Sequence, residues 1–164
     1  MIIAHLPAGY ITVSLLSRRL CKHPVRPGAL MFWGVFGSIA PDLDFAFCLI
    51  AHHQVLCDHH LFPTHYPSVW LSLLSVSMLW MLYDRQRSQG PTLAAIFFLS
   101  CFIHMILDAI TSHIFWLAPF SYVQQPASLA EYGFWQPAYI ELLIVLWALG
   151  LWQKERLLRI LSKV

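Results

Sequence analysis

Apolar residues in this chain fall into five long blocks, 2–17, 27–50, 67–83, 92–118 and 134–152, separated by shorter stretches that hold most of the charge. A helix crosses a bilayer with about 20 apolar residues, so the pattern predicts an all-α integral membrane protein of about five transmembrane helices, the first of them short. Pro67, Pro91 and Pro137 stand near predicted helix starts, where a missing N–H costs little. Pro41 lies inside the second block, directly before Asp42 and Asp44, and predicts a helix broken at that point. Non-helical backbone at membrane depth is tolerated where it lines a polar cavity.

Composition agrees with the pattern. The chain is 59% hydrophobic, 15% aromatic and only 11% charged, against about 25% charged in a typical soluble domain. Its 164 residues fit a single multi-pass domain, 1–164, with a core over about 1–120, a further helix at 134–152 and a basic tail at 153–164. No linker, repeat or low-complexity tract divides it. The N-terminus is apolar from the outset, lacks a basic leading segment and carries His5 and Pro7, which argues against a cleaved signal peptide.

The ten Lys and Arg residues fall into three clusters: Arg18, Arg19, Lys22 and Arg26; Arg85 and Arg87; Lys154, Arg156, Arg159 and Lys163. The connections 51–66 and 119–133 contain none. Basic loops stay cytoplasmic, so the expected topology has the N-terminus outside and the C-terminus inside. The net charge of +2 is spread over three loops and thus reports topology rather than nucleic-acid binding. Trp70, Tyr83, Trp116, Trp135 and Trp152, near predicted helix ends, suit interfacial belts.

Against this background the ionisable residues stand out. His5 precedes the first helix; Asp42 and Asp44 lie roughly 24 Å of helix beyond Arg26; His60 and His65 lie in an outer connection; His104 and Asp108 lie toward the outer end of the fourth block. The topology therefore gathers seven candidate ligands at one membrane face. Each has a plainer explanation. Asp-x-Asp after Pro makes turns and caps, and His104 and Asp108, four apart on a helical face, can simply hydrogen-bond. Ionisable residues within transmembrane segments are nevertheless costly and default to function.

Mixed imidazole and carboxylate ligands suit zinc first, then manganese or iron. Seven exceed one tetrahedral zinc, so one or two ions are expected. Two ions about 3.5–4 Å apart clamp the oxygens of a phosphoester and activate a water. No nucleophile elbow, phosphate loop or Cys-x-x-Cys competes with this chemistry. Cys21, Cys48, Cys57 and Cys101 are scattered; Cys48 and Cys57 could meet, but free buried thiols are the expectation.

An N-terminal His near a Gly, Pro41-Asp-x-Asp44, His60-x-x-x-Thr64-His65 and His104-x-x-x-Asp108-x-x-Thr111 form an ordered set. It resembles the bacterial inner-membrane family of membrane-bound metal-dependent hydrolases, whose LexA-regulated members are the familiar examples. The match covers roughly residues 1–120. The resemblance implies an integral inner-membrane fold, hydrolysis, and metal-site positions at His5, Asp42, Asp44, His60, His65, His104 and Asp108, with Thr64 and Thr111 at the family's threonines. Where the family has His-Arg-Gly before its Thr-His, this chain has His60-Leu61-Phe62-Pro63. A phosphate clamp is missing there, and His59 is an alternative ligand to His60.

The expected catalytic groups are Asp44, His60 and Glu141. Glu141, within the last block, suits a general acid, a partner to a ligand, or a hydrogen bond to a neighbouring helix. His52, His53 and His113 are expected at the interface. Three functions follow: hydrolysis of a lipid-linked ester, with a phospholipid or isoprenoid phosphoester first, at a site facing the periplasm or cell exterior; a metal or proton transporter; or a membrane protein whose metal only staples helices.

Overall fold

The computed structural model describes residues 3–20, 25–45, 50, 61–84, 86, 88–123 and 137–162, with the side chains of 18–20 left aside. Among these residues the chain is all-helical and has no strand. The elements are α1 (His5–Leu20), α2 (Pro27–Gly37), a 3₁₀ turn (Pro63–His65), α3 (Pro67–Tyr83), α4 (Gln89–Thr111) and α5 (Pro137–Leu161).

Helix α4 is the centre of the bundle and packs against α1, α2 and α3, while α5 packs on the outer side of α1. Its buried residues include Thr92, Ile96, Ser100, His104 and Asp108, a stripe at four-residue intervals that faces the other helices. At one end, Val13, Val25, Leu30 and Ile96 form a core; toward the other, Ala4, Ala8 and Leu107 pack together under Ile144 of α5.

Small residues bring the backbones close. A Cβ on Gly34 would lie 2.1 Å from Val13 Cγ2, one on Gly9 would lie 2.5 Å from Ser38 Oγ, and one on Gly37 would lie 2.5 Å from the Phe97 carbonyl oxygen. Such contacts are how helices associate where lipid removes the hydrophobic drive between them. The outside is strongly apolar: Val76, Leu79, Trp80 and Leu82 on α3 and Leu146 and Trp147 on α5 are all exposed. A soluble monomer rarely presents so continuous an apolar surface.

The second block was expected as a helix over 27–50 with a break near Pro41. α2 ends at Gly37 and helix resumes at 43–45 after a turn over 38–42, so the break surrounds Pro41 as expected. Ser38 N–H bonds back to Gly34 O (3.3 Å) and Ala40 N–H to Phe36 O (2.9 Å), and Pro41 has no N–H to continue the ladder. The third block, 67–83, matches α3 residue for residue. The fourth, expected over 92–118, runs from Gln89 to Thr111, because Pro91 fits a first turn and because Ser112 is extended, with its N–H (2.8 Å) and Oγ (2.9 Å) both on Asp108 O. The fifth, expected over 134–152, runs from Pro137 to Leu161, so the basic tail is largely helical; beyond Gly150 it holds strong helix formers and no Pro. By length and composition α4 is the one described helix fit to cross a membrane, while α2 and α3 are apolar and shorter.

Gly37→Ala, which sets a methyl group against backbone that cannot rotate away, is expected to destabilise the fold by roughly 1–3 kcal/mol. Gly28→Ala, where nothing lies within 4 Å, is the control. Thermal unfolding in detergent that leaves the two variants equal would refute the close α2–α4 contact.

Candidate metal centre

The packing at Gly37 delivers the Ser38 carbonyl to α4. His104, 1% exposed, places Nδ1 at 2.8 Å from Ser38 O. A carbonyl only accepts, so Nδ1 carries a proton, and Nε2 on the far side of the ring donates a second proton when the imidazole is charged and offers its lone pair to a metal when it is neutral. Nε2 faces Asp108 Oδ2 at 2.9 Å, one turn along the helix, and Asp42 Oδ1 at 3.3 Å.

Past α2 the chain coils tightly, with Asp42 N–H on Ile39 O (3.1 Å), Leu43 N–H on Ala40 O (3.2 Å) and Phe45 N–H on Asp42 O (3.1 Å). This turn sends Asp42 and Asp44 to opposite sides of His65. His65 Nδ1 donates to Asp44 Oδ2 (2.8 Å), and its Nε2 lies 3.6 Å from Asp42 Oδ1 and 3.8 Å from Asp108 Oδ2.

His65 owes its position to two prolines. Phe62 and Tyr66 are extended, as residues before proline are, and Pro63 and Pro67 open the 3₁₀ turn and α3. The turn is fastened by Trp70 Nε1–H on Thr64 O (2.7 Å) and Tyr66 OH on Leu61 O (2.8 Å). Trp70 also packs on Phe97 and Phe98, so it braces the site.

Asp42, His65, His104 and Asp108 thus each offer one ligand atom, all within 4.8 Å of one another, and can hold a metal ion. Two carboxylates offset a divalent charge, and both imidazoles have their second nitrogen tied down, the arrangement that fixes metal-binding histidines. Three of the four are deeply buried; the Asp42 side chain is 37% exposed and forms the rim.

Asp42 and His65 lie outside the long helices. Burial works against ionising Asp42, but hydrogen bonds to His104 and His65 outweigh it and hold its carboxyl below the ordinary range. Burial likewise opposes protonation of His65, yet Asp42 and Asp44 outweigh it and raise the imidazole pKa.

The seven expected ligands do not share one role. Asp42, His65, His104 and Asp108 converge. Asp44, expected as ligand and catalytic group, is placed behind His65, where its Oδ2 also accepts from Thr64 Oγ1. His5 stands at the edge, 3.1 Å from Asp108 Oδ1 and stacked on His104. Thr111 bonds the Asp108 carbonyl and not the cluster. Glu141, half-buried on α5, makes no hydrogen bond or ion pair among the described residues. His113 is exposed and Cys101 is a buried free thiol. His52, His53, His59, His60, Cys21, Cys48, Cys57 and Trp135 lie outside the described residues. The Ser38 carbonyl was missed; a backbone oxygen leaves no mark in a sequence.

An apolar-surfaced helical bundle with a buried His/Asp cluster at one end defines a membrane protein able to bind a metal. The family described as YdjM inner membrane protein matches residues 1–163, and the chain belongs to that family, which places it in the bacterial inner membrane. The family's description names a location and no activity. No curated protein and no solved structure matches the chain.

Metal competes with the proton on His65. Below the raised imidazole pKa a bound proton must leave, so zinc affinity is expected to rise with pH and level off above it. Asp44→Asn removes a carboxylate that raises this pKa, and is expected to move the onset of binding to lower pH while weakening binding about 10–100-fold. Chelator competition across pH checks both effects; an onset that moves to higher pH would contradict the geometry.

Proposed function

We propose that the protein is a multi-pass, membrane-embedded metal-dependent hydrolase acting on a lipid-linked ester, a phosphoester of a phospholipid or isoprenoid carrier in first place. The observation that carries this reading is the spacing of the four ligand atoms. Their approaches of 2.9, 3.3, 3.6 and 3.8 Å bracket the edge of roughly 3.3 Å that a tetrahedron with zinc-length bonds requires. Zinc is accordingly the preferred ion, with manganese or iron next.

His65, His104 and Asp108 are the buried members, a two-His, one-carboxylate set of the kind that leaves a fourth position for water. Asp42, the most exposed member, would be the ligand that yields this position to water and then serves as general base. A divalent ion there supplies an acidified water and polarises the phosphoryl oxygen. Asp44 and the Ser38 carbonyl keep both imidazoles in the right tautomer. The apolar exterior suits a substrate whose tails stay in the bilayer while its head group reaches the end of the bundle.

For sidedness, the centre lies at the His5 end of α1, whereas Arg26 and Gln89 meet through the Arg26 N–H and Gln89 Oε1 at the opposite end (3.5 Å). Arg26 belongs to a basic cluster, and basic loops stay inside. The centre then faces the periplasm, with the N-terminus outside and the C-terminus cytoplasmic.

One observation favours a second reading, a metal that only staples helices: four protein ligand atoms within 4.8 Å of one another are as many as a closed tetrahedral site needs. Asp42→Asn separates the two. Under the hydrolase reading it keeps zinc and lowers phosphate release from phosphatidic acid or polyisoprenyl phosphate by about 10²–10⁴-fold, while His104→Ala loses zinc and turnover together. Zinc bound by the wild type without release of phosphate from any lipid of the panel would favour the staple.

A further inference from the structure

Asp108 presents its two oxygens to different neighbours. Oδ2 belongs to the four-atom set, 2.9 Å from His104 Nε2, whereas Oδ1 lies 3.1 Å from His5 Nε2. His5 is 2% exposed, and neither of its ring nitrogens has a hydrogen bond of acceptable geometry among the described residues. A buried imidazole aimed at a carboxylate oxygen without an N–H···O bond calls for another partner.

The rings supply the geometry for one. His5 and His104 are stacked, with centroids 3.8 Å apart and planes inclined by 23°. Their Nε2 atoms address the two oxygens of the same carboxylate, side by side. A carboxylate that bridges two ions in a hydrolytic pair holds them about 3.5–4 Å apart, which is also the separation of the stacked rings.

We propose that His5 Nε2 and Asp108 Oδ1 hold a second divalent cation beside the first, with Asp108 as the bridge. The proposal rests on Asp42, His65, His104 and Asp108 holding the first ion. It assigns His5 to the second ion alone and excludes Asp44 from both. With only two ligands from the described residues, the second position binds its ion less tightly than the first.

The test is metal content of the purified full chain after equilibration in detergent with micromolar free zinc. Two zinc ions per chain are expected, and cobalt(II) exchanged into both positions is expected to give a spin-coupled electron paramagnetic resonance signal. His5→Gln is expected to hold one zinc and to show uncoupled cobalt while eluting as a single species like the wild type. The cobalt coupling is read on the wild type, so a His5 variant that fails to fold leaves the test intact. A wild type with one zinc and uncoupled cobalt, or a folded His5→Gln that keeps two, overturns the second position and leaves the four-ligand centre standing. A wild type with no zinc overturns both.

Discussion

Two carboxylates brought together at the end of an apolar bundle repel each other, and burial removes the water that would screen them. Asp42 and Asp108 are in this position, each facing imidazole nitrogens of His65 and His104. The cluster persists in the fold only if positive charge lies among them, from protonated imidazoles or from a metal ion. With both Nδ1 atoms already donating, to Ser38 O and to Asp44 Oδ2, the Nε2 lone pairs are left pointing inward, and a cation satisfies all four groups at once. Everything else about this end of the molecule serves that balance.

Backbone approach turns the constraint into geometry. Gly37 lets α2 come against the Phe97 carbonyl, and that contact puts Ser38 O within reach of His104. The missing N–H of Pro41 ends the helix and starts the coil that splits Asp42 from Asp44. Pro63 and Pro67 hold His65 between these two carboxylates. Three separate stretches of chain thus meet on α4, whose four-residue stripe supplies His104 and Asp108 in register.

Legibility in the sequence followed how local the cause was. Pro67 at its start and the polar residues from Asp84 onward bound α3, and its limits were readable directly. The break in the second block was readable from Pro41, but its start at Ser38 was not, because apolar residues continue through it and hydropathy reports surroundings rather than backbone. His104 and Asp108 were readable as a pair because four-residue spacing fixes a helical face. Asp42 and Asp44 looked equivalent, since only the hand of the turn decides that one joins the ligand set and the other holds His65. The gathering of His5, Asp42, His65, His104 and Asp108 at one end was readable from alternating helices and the placement of basic residues, although no spacing showed which oxygen meets which nitrogen. Membership of an inner-membrane family supports the location drawn from composition, and the activity rests on the chemistry of the centre.

Zinc K-edge X-ray absorption on the wild-type protein in detergent tests the central claim most directly. A first shell made only of nitrogen and oxygen at about 2.0–2.1 Å, with outer scattering from imidazole rings that His104→Ala abolishes, is the result expected. A sulfur-containing shell, no imidazole scattering, or a spectrum unchanged by His104→Ala would contradict a centre built from Asp42, His65, His104 and Asp108.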